Sequence, residues 1–251
     1  MKKYTKTERY DQNWIAENWM GPNPLWLVEE LCNHMDLRPC MKVLDMGCGK
    51  GLTSVFLAKE FGVTVFANDL WISATDNLNR FEEARVSDLV FPIHAEAHAL
   101  PYAEGFFDAA IAIDSYEYYG ADEIFFPCTY SKLVKPGGQF GIVVPGLARE
   151  FERGYPDTLR KYWVGDMFSF HSKDWWRRLW DKTGIVEITA CYDIDDPKGI
   201  WMPHAIATKD WSTEVQGFSD VDFLNADTDN DVSLIVMAAR KKETGDGFKT
   251  I

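Results

Sequence analysis

The sequence predicts a doubly wound α/β fold on a mostly parallel sheet, and three observations carry that reading. Strand-like apolar runs alternate with helical patterns over residues 42–144, the order expected of right-handed crossovers between parallel strands. The first strand runs through Val43-Leu44-Asp45-Met46-Gly47-Cys48-Gly49-Lys50-Gly51 into a helix. Such a glycine-rich turn lets a ligand lie against bare backbone, beside unpaired helical N–H groups. A second β-branched and aromatic run, Val63-Thr64-Val65-Phe66-Ala67, ends in Asn68-Asp69, placing a carboxylate at a strand tip 24 residues beyond Asp45. With 251 residues, 46% of them hydrophobic, the chain can bury a full core as one domain.

The elements follow in order. The first twenty residues carry Tyr4, Tyr10, Trp14 and Trp19 among polar neighbours and read as an arm. Asn23-Pro24 reads as an N-cap followed by proline at the first helical position. Leu27, Val28, Leu31 and Met35 then share one face of a helix over residues 25–35. Residues 52–61 form the next helix, closed by Gly62. A strand over 109–113, a helix opening at Ala121 or Asp122 and running to about Val134, and a strand over 139–144 complete the regular part.

Beyond Gly146 the alternation breaks into a connection over 147–171 rich in Tyr, Trp and Phe. Ser172 caps a helix over 173–182, with Trp176, Leu179 and Trp180 inward and Gly184 at its end. Residues 185–192 and 232–239 read as strands, and the 39 residues between them exceed what a hairpin needs. Both long insertions fall above the carboxyl ends of the strands, the usual ligand side. The expected organisation is therefore one domain over 1–251: an arm and first helix to 41, a ligand-binding core over 42–146, and substrate-side insertions over 147–171 and 193–231.

The glycine turn is specific. The dinucleotide fingerprint would need a third glycine where Leu52 stands, and the phosphate loop fails because Gly51 follows Lys50. What remains is acid-x-G-x-G-x-G. Downstream come Glu96-Ala97-His98-Ala99-Leu100-Pro101-Tyr102, then Phe106-Phe107-Asp108, and then Leu133-Val134-Lys135-Pro136-Gly137-Gly138. These four signals in this order resemble the class I S-adenosylmethionine (SAM)-dependent methyltransferases, over residues 42–146 by motif and 23–240 by element order.

The resemblance implies a Rossmann-like sheet of seven strands with an antiparallel last strand, and SAM as cofactor. It implies that Asp45, Gly47, Cys48, Gly49 and Gly51 shape the methionine and ribose end of the pocket. Asp69 would clamp the ribose hydroxyls with Leu70 beside it, and Glu96 with Ala97 would meet the adenine. Asp114 would close the cofactor side after the fourth strand.

Composition bounds the partners. Formal net charge is −13, and the basic clusters Lys2-Lys3, Arg177-Arg178 and Arg240-Lys241-Lys242 are too short and scattered to track phosphates. Nucleic acid and anionic membranes are therefore not expected partners. Residues 1–14 carry lysines without an apolar stretch, unlike a signal peptide, and no run reaches the roughly 20 apolar residues of a bilayer span. Five cysteines without a C-x-x-C pair suit free thiols in a reducing cytoplasm.

Methyl transfer needs orientation, exclusion of water and, for some acceptors, a base. Asp114-Ser115-Tyr116-Glu117-Tyr118-Tyr119-Gly120 follows the fourth strand, where substrate and methyl group should meet. Tyr116 and Glu117 are candidate acceptor contacts, and Tyr116 a candidate catalytic group. This stretch departs from the [DN]-P-P-[YFW] signature of amino-methylating nucleic-acid enzymes. His171 and His204, one in each insertion, are candidate bases. Ile200-Trp201-Met202-Pro203-His204 puts an apolar cluster into a polar connection, and reads as a lid in which Trp201 contacts the acceptor.

His94 and His98 flank a strand-to-loop change with no third ligand, so no metal is expected. Asp227-Thr228-Asp229-Asn230-Asp231 opens like a calcium loop but has Val232 at the sixth position and Ala238 at the twelfth, and reads as a solvated acidic turn. The ten tryptophans, with Trp14, Trp19, Trp163, Trp201 and Trp211 outside the expected sheet, suit an apolar or cation-holding pocket. The expected function is methylation of a small acceptor, an amine or an aromatic. A methyltransferase of RNA or protein, or a SAM-binding regulator without catalysis, are the alternatives.

Overall fold

The computed structural model describes residues 4–152 and 154–243. Lys2-Lys3 and the side chain of Trp211 lie outside the described residues. Seven strands form one sheet in the order β3-β2-β1-β4-β5-β7-β6. They are β1 (Lys42–Met46), β2 (Thr64–Asp69), β3 (Val90–His94), β4 (Phe107–Ile113), β5 (Val134–Leu147), β6 (Val186–Asp193) and β7 (Val232–Lys241). All neighbours pair in parallel except β7, which is antiparallel to both β5 and β6. This is the doubly wound, seven-stranded sheet with an antiparallel last strand that the motifs imply.

The helices are α1 (Gln12–Asn18), α2 (Pro24–Cys32), α3 (Leu52–Phe61), α4 (Ala74–Glu83), α5 (Glu117–Gly120), α6 (Ser131–Leu133), α7 (Asp157–Arg160), α8 (Lys173–Asp181), α9 (Pro197–Ala207), α10 (Lys209–Gln216) and α11 (Asp220–Ala226). Asn23 caps α2 as its sequence predicts, its Oδ1 accepting from Leu25 N at 3.2 Å and Trp26 N at 3.3 Å. Ser172 does the same for α8 through Trp175 N.

Strand alternation divides the core. Val43, Val65, Ala109, Ile111 and Val143 pack with α2 and α3 on one face. Leu44, Met46, Ala110, Ala112, Ile142 and Val144 pack with Tyr130, Trp176 and Trp180 on the other. Both faces are covered, as a parallel sheet requires.

Three expectations are corrected. The helix expected from Ala121 or Asp122 does not form there. Asp122 accepts from Ile124 N at 3.0 Å to make a turn, and a π-helical stretch, Phe126–Tyr130, leads into α6. Pro127 lacks an N–H and its ring crowds the carbonyl four residues back, so the regular ladder cannot pass through it. Between residues 193 and 231 the chain is not a loop but α9, α10 and α11. The acidic turn is solvated only at its tip, residues 228–230, and not at its two flanking carboxylates. Asp227 is buried, accepts from Asp231 N and Val232 N, and pairs with Lys198 at 3.2 Å. Asp231 pairs with Arg149 at 3.0 Å. These carboxylates fasten the start of β7 to the insertions.

The two insertions meet each other. Leu147, Leu159, Met167 and Phe170 pack with Trp201, Ala205, Phe223, Leu224 and Val232 in a third, smaller core. The register Leu147↔Val232 sets it at the carboxyl end of β5, the end of the sheet that also carries the glycine turn after β1.

Candidate cofactor and acceptor site

The cofactor side is built from backbone. Gly47, Gly49 and Gly51 all have positive φ, at 71°, 54° and 81°, a conformation that costs little only for glycine. Gly47 N and Cys48 N donate to Asn68 O at 2.8 and 3.0 Å, tying the turn to the end of β2. The Cys48 thiol is buried, which pushes its ionisation well up. Asp69 completes the turn: its Oδ2 accepts from Gly49 N at 2.8 Å, and its Oδ1 from Trp71 N and Ile72 N, each at 2.8 Å. The carboxylate expected at a ribose therefore also holds the loop it faces.

Asp45 is fully buried, and its Oδ2 accepts from Thr53 Oγ1 and Ser54 Oγ at 2.6 Å each. Its Oδ1 has no partner. Burial pushes this carboxyl up to about 6, with the two hydroxyls pulling it back.

The arm crosses this turn. A Cβ on Gly49 would lie 3.0 Å from Met20 Sδ. Lys50 Nζ donates to Glu17 O at 2.9 Å. Arg80 joins Asn18 Oδ1 at 2.9 Å to Asn77 Oδ1 at 3.0 Å, and Asn77 Nδ2 reaches Gly49 O at 2.9 Å.

Leu70, Trp71 and Tyr118 are exposed beside Asp69, with the Trp71 and Tyr118 rings 5.2 Å apart. Glu96 stands at the expected position after β3 with Ala97 buried beyond it, its carboxylate accepting from His98 N at 2.9 Å and pairing with His98 Nδ1 at 2.6 Å. His94 Nε2 bonds instead to Leu70 O at 2.8 Å, so the two histidines do not converge. Among the described residues no group of three His, Cys, Asp or Glu could hold a metal.

The acceptor side gathers distant residues. Asp114 has φ at 52° and lies against the arm: a Cβ on Gly21 would meet its Oδ2 at 1.8 Å. Burial and the charge of Asp220 push the Asp114 carboxyl well up. Glu117 is 3% exposed, its Oε2 has no partner, and burial followed by the charge of Asp114 pushes it up too. His204 projects from α9 with its ring 5.8 Å from that of Trp19 and its Nδ1 unpartnered. Burial holds it below the usual imidazole value, so it stays neutral and able to accept a proton.

Three candidates are not brought to this group. Tyr116 is fully buried among Tyr119, Phe125, Tyr130, Trp176 and Trp180, against Gly120. It follows the helical turn into the core, and its neighbour Tyr118 faces outward instead. His171 stacks on Trp175 at 3.7 Å and pairs with Glu150 at 3.2 Å, a structural clamp at the end of β5. Trp201 packs on Phe223 at 6.1 Å within the insertion core; from this helix it is His204 that reaches toward the arm.

Trp71, Tyr118, Met20, Asp166 and Asp220 were not singled out by sequence. Trp71 carried a signal, lying two residues past the strand-tip acid. Isolated acids in the insertions carried none.

A cleft of about 490 Å³ lined by Tyr10, Trp14, Glu60 and Arg85 contains none of these residues. The glycine turn, the Asp69 carboxylate and the exposed Leu70 and Trp71 fit an adenosyl ligand. The neutral histidine and buried carboxylates beside them fit a polar acceptor.

Known proteins share this fold. Residues 43–138 match the family model described as "Methyltransferase domain". Methyltransferase GfsG of Streptomyces halstedii is 32% identical over 124 residues, 46% of this chain and 42% of that protein. The chain spans less than half the length of the curated relatives it matches first. Among solved structures, geranyl diphosphate C-methyltransferase from Streptomyces coelicolor, with Mg2+, geranyl diphosphate and S-adenosylhomocysteine, superposes at TM-score 0.66 and 19% identity, covering 85% of this chain and 78% of that one. Haemonchus contortus phosphoethanolamine N-methyltransferase 2 does so at 0.69 and 19%, covering 94% and 58%. Among the described residues no helix is long and apolar enough to cross a membrane. Residues 43–138 thus match a methyltransferase domain, and the fold is that of the class I SAM-dependent methyltransferases.

Proposed function

We propose that the chain transfers the methyl group of SAM to a small-molecule acceptor, in a pocket walled by the arm, the turn after β4 and the two insertions. The observation that carries this reading is the Asp69 carboxylate joined to Gly49 N at 2.8 Å. It sets a strand-tip acid and a bare-backbone turn at one place, with the insertion core over the same edge of the sheet. SAM supplies a sulfonium methyl carbon, on which an acceptor's lone pair forms a bond while the C–S pair stays with sulfur.

The residues then have separable tasks. Gly47, Gly49 and Gly51 let the methionine and ribose end approach backbone, and Asp69 accepts from the ribose hydroxyls. Leu70 and Trp71 cover the adenine, with Glu96 at its amino group. Met20, Trp19 and α9 exclude water, and neutral His204 accepts a proton from acceptors that must lose one. Relatives named phosphoethanolamine N-methyltransferase and geranyl diphosphate C-methyltransferase support a small acceptor here. The net charge of −13 argues against nucleic acid. The odd cysteine count supports a cytoplasmic setting, and the element order supports one domain over 1–251.

The test is a screen of small amines, phenols, thiols and carboxylates, with RNA and a mixed peptide set alongside, for S-adenosylhomocysteine formation. Turnover confined to small molecules is expected. Turnover of RNA or peptide alone would overturn the acceptor class. Tight SAM binding without turnover of any acceptor would favour a regulatory SAM-binding protein.

A further inference from the structure

We propose that Arg80 is a positioning residue that latches the arm across the glycine turn, and that SAM and S-adenosylhomocysteine enter and leave only when this latch opens. This rests on the methyltransferase reading and adds the residue that governs exchange of the cofactor. The arm is held at both ends. Glu29 accepts from Lys6 N at 3.1 Å and Thr7 N at 3.2 Å. Beyond Gly21 the chain enters α2, whose Leu25, Leu27 and Val28 are fully buried. Between these anchors lies α1, which sets Met20, just past its end, onto Gly49. A Cβ on Gly49 would lie 3.0 Å from Met20 Sδ, so the sulfur covers the bare face of the glycine. A ligand reaching that face must displace Met20 and the segment that carries it.

Arg80 joins that segment to the turn. From α4 its Nε donates to Oδ1 of Asn18, the last residue of α1, at 2.9 Å, and its Nη1 donates to Asn77 Oδ1 at 3.0 Å. Asn18 Nδ2 in turn donates to Trp14 O, and Asn77 Nδ2 to Gly49 O, each at 2.9 Å. A guanidinium only donates, so both amides must present oxygen to it, which leaves both NH2 groups facing backbone carbonyls. A run of four hydrogen bonds thus leads from the arm helix to the second glycine of the turn through one cation. Among the described residues that cation has no carboxylate partner. The helix that carries it also rests on the turn, since a Cβ on Gly51 would lie 2.4 Å from Phe81 Cε1.

Burial sets this contact apart from the others that α1 makes. Among the described residues, the other hydrogen bonds joining α1 to the body are Trp14 Nε1 to Glu83 Oε2 at 3.3 Å and Lys50 Nζ to Glu17 O at 2.9 Å, both exposed. Water replaces either partner there at little cost. Asn18 and Asn77 are buried, at 8% and 1% exposure, so losing Arg80 leaves two amide oxygens short of a donor. The guanidinium between them is only half-buried, so water can solvate it when it lets go. A latch of this kind holds the arm shut and still opens.

The test follows S-adenosylhomocysteine binding to the full chain by stopped-flow tryptophan fluorescence, with equilibrium affinity from calorimetry. Arg80→Ala should release this ligand about tenfold or more faster. It should also take the ligand up about twofold or more faster, because open chains are then commoner. Asn18→Ala leaves Arg80 on Asn77 and the turn, yet should reproduce both changes, and the double variant should add little to either single one. A residue that merely supports the turn would speed release and slow uptake. The latch is overturned if uptake slows in either variant, or if Asn18→Ala exchanges the ligand at wild-type rates. Failure of the wild-type chain to bind S-adenosylhomocysteine would remove the methyltransferase reading beneath it, whereas binding with wild-type exchange in both variants removes the latch alone.

Discussion

The proposed cofactor side and the proposed acceptor side share the carboxyl end of the sheet but are built in different ways. The cofactor side centres on one continuous stretch, β1 to β2, and largely satisfies itself: Asp69 takes three backbone N–H groups, and Asp45 takes two hydroxyls at Oδ2 while its Oδ1 has no partner. The acceptor side is assembled from the arm, α5 and both insertions, and keeps Glu117 Oε2 and His204 Nδ1 without partners. Local, self-satisfied geometry presents a fixed surface to a fixed ligand. A site gathered from insertions, with open polar atoms, can change its acceptor without disturbing the cofactor turn.

Substitutions on each side should separate the two. The largest effect is expected at Gly49. Its φ of 54° strains any other residue, and a branched side chain would strike Met20. Gly49→Val should abolish SAM binding in calorimetry while circular dichroism stays close to wild type. Retained binding would make the glycine turn a structural bend only. Next comes Trp201. Removing a buried indole from the insertion core costs about 3–5 kcal/mol, so Trp201→Ala should unfold at lower temperature and lose acceptor turnover. If the sides are separable, its SAM affinity at low temperature stays near wild type. Loss of SAM binding there would show that the insertion core also supports the cofactor turn.

A smaller effect is expected at Asp45, where pH gives the sign. Its carboxyl sits at about 6 in the folded chain against an unfolded 3.8. The stability this residue contributes is thus present below pH ~4 and lost as pH rises through ~6, about 3 kcal/mol in all. Asp45→Asn should raise the melting temperature relative to wild type at pH 8, and the gain should shrink toward pH 4. A gain unchanged with pH would mean that Asp45 is not the titrating group. The smallest change is His204→Gln, which keeps the bulk of α9. It should lower turnover most for acceptors that must lose a proton, with SAM affinity unchanged. Equal loss for every acceptor would assign His204 to packing.

The same contrast explains what the sequence disclosed. The turn from Asp45 to Gly51 and the acid at Asp69 were legible because strand, glycines and strand-tip acid are close in sequence and each has a local physical cause. The parallel sheet followed from the alternation of elements, and its seven strands with an antiparallel last strand from the family it resembles. Tyr116 lies in the core because the turn entering α5 points it inward, while Tyr118, two residues on, faces outward. His171 was indistinguishable from His204 until Glu150 and Trp175 were seen to clamp it. The approach of the 165–169 turn to α5 exists only in three dimensions. Proline also marked a boundary that the expected helix ran across: Pro127 cannot sit in a regular helical ladder, and the chain meets it with a π-helical stretch.

Calorimetric titration of SAM into the wild-type chain and into Asp69→Ala tests the shared basis of all this most directly. Two hydroxyl hydrogen bonds to one carboxylate, at about 1.5–3 kcal/mol each, should make the variant bind about tenfold or more weakly. It should also melt earlier, because Gly49, Trp71 and Ile72 lose their acceptor. One SAM site per chain with that dependence is the expected result. No binding by the wild-type chain, or unchanged affinity in the variant, would contradict the assignment of this turn to SAM.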